Sequence, residues 1–120
     1  MTLKRDVTKY VRDRAKNGYD KGSSCEICGS TEKLDFHHFY SVSLLIKNWM
    51  SETGNLGKDV LDWRDQFIEE HRKELYDDTV TLCHDHHLKL HSIYGSFPSL
   101  GTAKKQQRWV IKQREKHGLV

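Results

Sequence analysis

Two short spacings constrain this chain more than anything else in it. Cys25 and Cys28 are separated by two residues, and so are Cys83 and His86. That gap lets two side chains of one tight turn reach the same tetrahedral ion, and two such pairs make a closed Cys3His set of the kind that holds structural zinc. Cys25, Cys28, Cys83 and His86 are therefore the expected zinc ligands. His84 is passed over because it adjoins Cys83, and neighbouring residues chelate one ion poorly. Cys83 follows Cys28 by 55 residues, so the fold must bring two distant segments together.

Other features agree with a metal. The three cysteines cannot all pair as disulfides. No apolar N-terminal run marks a signal peptide or a membrane span. A cytoplasmic setting is expected, where cysteines more often bind metal than oxidise. With 120 residues the chain is read as one domain, 1–120. Only 36% of it is hydrophobic, so its core should be thin and a bound metal should help hold it.

Charge is unevenly spread. Residues 1–22 carry a net +4, residues 23–101 a net −6 and residues 102–118 a net +5. Basic ends around an acidic, histidine-rich middle suit arms that grip a polyanion, although two solvated helix faces would read the same way.

Along the chain, Thr2 is placed to cap a first helix over 3–17, with Val7, Tyr10 and Val11 on one face. Residues 34–39 read as a short strand and 42–50 as a short helix. Val60, Trp63, Phe67, His71 and Leu75 recur at helical spacing, predicting one helix over 59–76. Thr79–Cys83 is a second strand, rich in β-branched residues. His84–Tyr94 follows as a helix, 95–101 as a loop, and Thr102 is placed to cap a last basic helix ending near Lys116. Trp109 in that helix is expected to dock on the core more than to touch a ligand.

The histidines carry a second constellation. His87 and His91 are four apart and share one helix face, about 40° apart around the axis, which suits two imidazoles on one metal. His86 points about 100° from His87, so it is free to serve the zinc. His37 and His38 leave a strand in different directions, so one can ligate a metal while the other acts as a general base.

Taken in order, Cys25-x2-Cys28, then Leu34-Asp35-Phe36-His37-His38-Phe39, then Asp78-Thr79-Val80-Thr81-Leu82-Cys83-x2-His86-His87-x3-His91 resembles an HNH (ββα-metal, His-Me finger) endonuclease of phage or bacterial type. The resemblance covers roughly residues 25–91 with an insertion at 40–77. It implies an α+β fold: a small ββα-metal core with a zinc knuckle, a helical insertion, and flanking helices at 1–22 and 102–118. It further implies that His37 and His87 hold the catalytic metal, with His91 as an added ligand, and that His38 activates water. Asp78 stands where the family has Asn, implying that it orients His38 or completes the metal shell. Packing over the core is the expected role of the insertion, with partner binding or placement of a DNA end as the alternative.

The function implied is metal-dependent hydrolysis of DNA phosphodiester bonds, leaving 5′-phosphate and 3′-hydroxyl ends. Expected cofactors are a structural Zn2+ and one catalytic divalent ion, Mg2+, Mn2+, Ni2+ or Zn2+. The partner is duplex or branched DNA, held at its phosphates by the N-terminal helix and by Lys104, Lys105, Arg108 and Lys112. The rival reading is a zinc-ribbon module that binds nucleic acid without cutting it. That reading leaves His37, His38, His87 and His91 without a task.

Overall fold

The computed structural model describes residues 6–55 and 58–118. Seven main elements follow in order: α1 (Val7–Ala15), β1 (Leu34–His38), α2 (Val42–Thr53), α3 (Val60–Glu70), β2 (Thr79–Cys83), α4 (His84–Tyr94) and α5 (Ala103–Lys116). Strands β1 and β2 pair antiparallel, with Leu34 opposite Cys83 and His38 opposite Thr79. Strand β2 runs directly into α4, giving a ββα core within an α+β fold.

Two hydrophobic clusters build the molecule, which measures 51 × 26 × 26 Å. In the first, α1 packs on α2 and α3 through Val11, Ala15, Ile46, Trp49, Trp63 and Phe67. In the second, the Cys25–Gly29 turn, the hairpin, α4 and α5 meet through Ile27, Phe39, Leu82, Leu90 and Val110. Tyr40 packs against both. The insertion therefore builds a second core with the N-terminal helix, beyond the covering role expected of it. Trp109 docks on the second cluster, as expected of it.

Local chemistry explains where the element boundaries depart from expectation. Thr2 lies outside the described residues. Helix α1 is capped by Asp6, whose carboxylate accepts from the Lys9 amide. Thr102 stands at the N-cap position of α5 but makes no side-chain cap bond; its hydroxyl donates to the Ser99 carbonyl and accepts from Gln106 Nε2. The helix predicted over 59–76 ends at Glu70. There the His71 ring donates through Nδ1 to the Phe67 carbonyl, and the backbone breaks from helical geometry. The chain then widens into a π-type turn over Lys73–Asp77, closed by Asp78 N–H on the Lys73 carbonyl.

No helix of the described residues is long and apolar enough to cross a membrane.

Candidate functional site

The first candidate centre is the knuckle. Gly29, with φ 75°, closes a turn in which its N–H reaches the Cys25 carbonyl. Glycine takes that left-handed conformation at no steric cost. The Glu26 N–H anchors the turn on the Thr81 carbonyl of β2. This brings Cys25 and Cys28 to Cys83 and His86, with all four ligand atoms within 4.8 Å of one another. Cys28 Sγ and Cys83 Sγ are 3.9 Å apart, close to the roughly 3.8 Å of two thiolates on one tetrahedral zinc. His86 presents Nδ1 at 3.3 Å from Cys83 Sγ. His84 turns away, 3.0 Å from an Asp35 oxygen. The donor set fits a metal ion.

The second centre lies at the far side of the hairpin. His37 Nδ1 is 3.1 Å from His87 Nε2, which is 3.0 Å from His91 Nε2. Each ring is also held by its other nitrogen. His87 Nδ1 meets Asp35 Oδ2 at 3.1 Å, His91 Nδ1 meets the Gly95 carbonyl at 2.8 Å, and His37 Nε2 meets Gln106 Oε1 at 2.8 Å. A carboxylate and a carbonyl only accept, so His87 and His91 carry their protons on Nδ1 and turn bare Nε2 lone pairs toward each other. Such convergence is repulsive unless a cation sits between them. Three imidazoles with outer hydrogen-bond partners are the pattern of a metal site. Burial pushes His37 down to about 3 and also lowers His87, so both rings are neutral at neutral pH and their lone pairs are free. Burial raises the Asp35 carboxyl, and the hydrogen bonds from His84 and His87 outweigh it, leaving Asp35 below the ordinary carboxylate value.

His38 occupies the other face of β1. Its ring meets Tyr19 and Phe36 edge-on. Its Nε2 lies 3.1 Å from the Leu75 carbonyl, which the widened turn leaves available. That carbonyl can only accept, so His38 donates through Nε2 and keeps a bare Nδ1. Burial, and then the Arg12 guanidinium, push His38 down to about 4.

Asp78 is engaged by other partners. Its carboxylate pairs with Lys73 Nζ at 2.9 and 3.0 Å, and its backbone carbonyl accepts from the Phe39 N–H. Leu75, not Asp78, holds the His38 ring, and Asp78 is not among the residues grouped around His37.

His37, His38, His87 and His91 all line one cleft of about 940 Å³. Lys9 and Arg12 of α1, Ser41 and Ser43 at the start of α2, and the Ser96–Pro98 loop form its other walls. Lys104, Lys105, Arg108 and Lys112 are exposed on α5, outside this cleft. Arg114 of the same helix pairs with Glu26, tying α5 to the knuckle.

Sequence reasoning missed Asp35, Gln106 and Leu75. Asp35 was findable, because two residues before His37 on a strand is the same face. Gln106 shares the stripe of Ala103 and Val110, a polar residue at a core position. The Leu75 carbonyl carries no side-chain signal.

A model of the phage T5 nicking endonuclease family matches residues 1–118. The chain belongs to the nicking endonuclease family. No solved structure matches it. The nicking endonuclease is thus a DNA-cleaving enzyme, and the cleft that gathers four histidines with Arg12 and the paired Lys9 and Asp13 is its candidate active site.

Proposed function

We propose that this nicking endonuclease works by HNH chemistry: it hydrolyses a phosphodiester of duplex DNA with one divalent metal and a histidine base. His37, His87 and His91 would hold the metal. Cys25, Cys28, Cys83 and His86 would hold a structural zinc. The observation that carries the reading is the pairing of His38 Nε2 with the Leu75 carbonyl at 3.1 Å. It leaves Nδ1 as a proton acceptor in the cleft that the three-imidazole cluster also lines.

In this reading His38 Nδ1 takes a proton from water as the water oxygen attacks phosphorus. The bond from phosphorus to the 3′ oxygen breaks and that oxygen takes a proton from solvent, leaving 5′-phosphate and 3′-hydroxyl ends. His37, His87 and His91 would hold an ion whose positive charge would stabilise the charge that builds up on the phosphate. Three imidazoles favour a transition ion such as Mn2+, Ni2+ or Zn2+ over Mg2+, which prefers oxygen ligands. Arg12 receives the phosphate at the cleft wall, beside the Lys9–Asp13 ion pair. A phosphate beside Arg12 also offsets the positive field that weakens His38 as a base. Asp78 acts at one remove, keeping Phe39 and hence β1 in register. Lys104, Lys105, Arg108 and Lys112 grip flanking phosphates.

The test is nicking of supercoiled plasmid across a titration of Mn2+, Ni2+, Zn2+ and Mg2+. His38→Ala should lose on the order of 10²–10⁴ in rate with metal affinity intact. His37→Ala and His87→Ala should weaken metal binding and recover partly at high metal. Loss of metal binding in His38→Ala alone would reverse the roles of the two neighbours. Wild-type nicking by all three variants would overturn the mechanism.

A further inference from the structure

The three rings of the second centre are held by partners of different kinds. His87 leans on a carboxylate and His91 on a backbone carbonyl, both of which dictate where the proton sits. His37 leans on an amide side chain, which offers a donor at one end and an acceptor at the other. Its ring state therefore depends on which way the Gln106 amide is turned. Gln106 is fully buried, at 0% exposure, and reaches His37 across 69 residues of chain from α5.

The surroundings of Gln106 leave one orientation. Its nitrogen lies 3.2 Å from the Phe39 carbonyl, which can only accept. The same nitrogen lies 3.0 Å from Thr102 Oγ1, whose own hydrogen is committed to the Ser99 carbonyl at 2.7 Å. Both amide hydrogens are thus used, and both need acceptors where those two oxygens lie. Turning the amide over would set its oxygen against the Phe39 carbonyl in a buried place, which costs on the order of 1–3 kcal/mol for the unmatched groups. With nitrogen fixed on that side, Oε1 faces His37 Nε2 and requires a proton there.

A competing arrangement gives this direction its consequence. His37 Nδ1 is 3.1 Å from His87 Nε2. A proton on Nδ1 would be donated to His87, satisfy both nitrogens and occupy the space where the lone pairs converge. We propose that Gln106 is a positioning residue that holds the His37 proton on Nε2, so that Nδ1 stays bare toward the metal. Oriented hydrogen bonds run from Thr102 and Phe39 through Gln106 to His37. The helix that presents Lys104, Lys105 and Arg108 to solvent thereby sets a metal ligand from its inner face. This rests on the reading that His37, His87 and His91 hold the catalytic ion.

The experiment observes the ring itself. Nitrogen–proton correlation spectra of the protein with zinc in the knuckle and no second metal should show His37 protonated at Nε2. Gln106→Met, similar in size but without the acceptor, should move the proton to Nδ1. It should also weaken Mn2+ or Ni2+ binding about 10–100-fold by calorimetry, with knuckle zinc content unchanged. Gln106→Glu, as a neutral acid donating its proton to the Phe39 carbonyl, keeps an acceptor toward His37 and should restore the Nε2 form and part of the affinity. A wild-type His37 protonated at Nδ1 would overturn the proposal without any variant. So would a folded Gln106→Met protein with unchanged tautomer and affinity. Wild-type protein that binds no second metal in any titration would overturn the metal reading, and the role of Gln106 with it.

Discussion

In the helical part of the nuclease, Trp49, Trp63 and Phe67 meet with ring centroids 5.5–6.3 Å apart, sealed by Val11, Ile46 and Leu75. The catalytic part has a different centre: two five-residue strands, three cysteines and a row of buried or half-buried histidines, with Ile27, Leu82 and Leu90 between them. A two-stranded hairpin is at best marginal by itself, and buried imidazoles with lowered proton affinity add nothing to hydrophobic stabilisation. The first part can rest on apolar burial. The second has given its interior to side chains that could ligate a metal, and in the proposed reading an ion at the knuckle holds it together.

Removing the knuckle metal should have the largest effect. Structural zinc of this type contributes on the order of 10–16 kcal/mol in small isolated modules. Cys83→Ser, or exhaustive chelation, should unfold β1, β2, α4 and α5 and leave α1, α2 and α3 more protected. Proteins that keep only Trp109 or only Trp63 report the two parts separately by fluorescence. A Trp109 signal that survives chelation as well as the Trp63 signal would break the comparison. The converse change is smaller. Trp63→Ala should cost about 3–5 kcal/mol and lower the unfolding midpoint, while zinc content stays at that of the wild type. Loss of zinc in Trp63→Ala would show the two parts to be one cooperative unit.

The same division explains what was legible in the sequence. The knuckle could be read because Cys25-x2-Cys28 and Cys83-x2-His86 are spacings with one economical explanation. The convergence of His37, His87 and His91 was implied by the family resemblance and supported by the four-residue gap on α4. The ββα order followed from β-branched residues at 79–81 and the helical spacing after them. The His38–Leu75 contact was not legible. It depends on a backbone carbonyl released by a π-type turn, and the apolar periodicity of residues 60–75 continues through that turn without a mark. The Lys73 partner of Asp78 was not legible for a related reason. Motif position says which residue stands nearby, not that Lys73, five residues earlier, already claims its carboxylate.

Phosphate gripping separates the two faces of α5. Replacing Lys104, Lys105 and Arg108 with Ala should weaken DNA binding for all sequences alike. It should flatten the dependence of log affinity on log salt by about one unit per lost contact. Metal affinity should stay unchanged, because the inner face with Gln106 is untouched. An unchanged salt slope would remove α5 from the DNA path and leave Arg12 at the cleft wall as its cation.

The smallest effect lies at the seam, where His38 of β1 donates to Leu75 beyond α3. Its folded proton affinity is pushed down to about 4 by burial and by Arg12, against about 6.5 in the unfolded chain. Above pH 6.5 the ring is neutral in both states and contributes no pH dependence. As pH falls from 6.5 toward 4, the unfolded ring binds a proton and the folded ring does not, so stability is lost across that window. By pH 5.5 the loss from this group is about 1–1.5 kcal/mol. The informative quantity is a difference between two proteins that differ only at His38. His38→Gln keeps a donor for the Leu75 carbonyl and cannot be protonated. Urea midpoints of wild type and His38→Gln, each at pH 7.0 and 5.5, should show the steeper acid loss in wild type. Because His38 touches both parts, the Trp63 and Trp109 probes should register that difference equally. A difference confined to Trp109 would place His38 wholly within the metal part. No difference at either probe would mean that His38 is protonated as readily in the folded protein as in the unfolded chain.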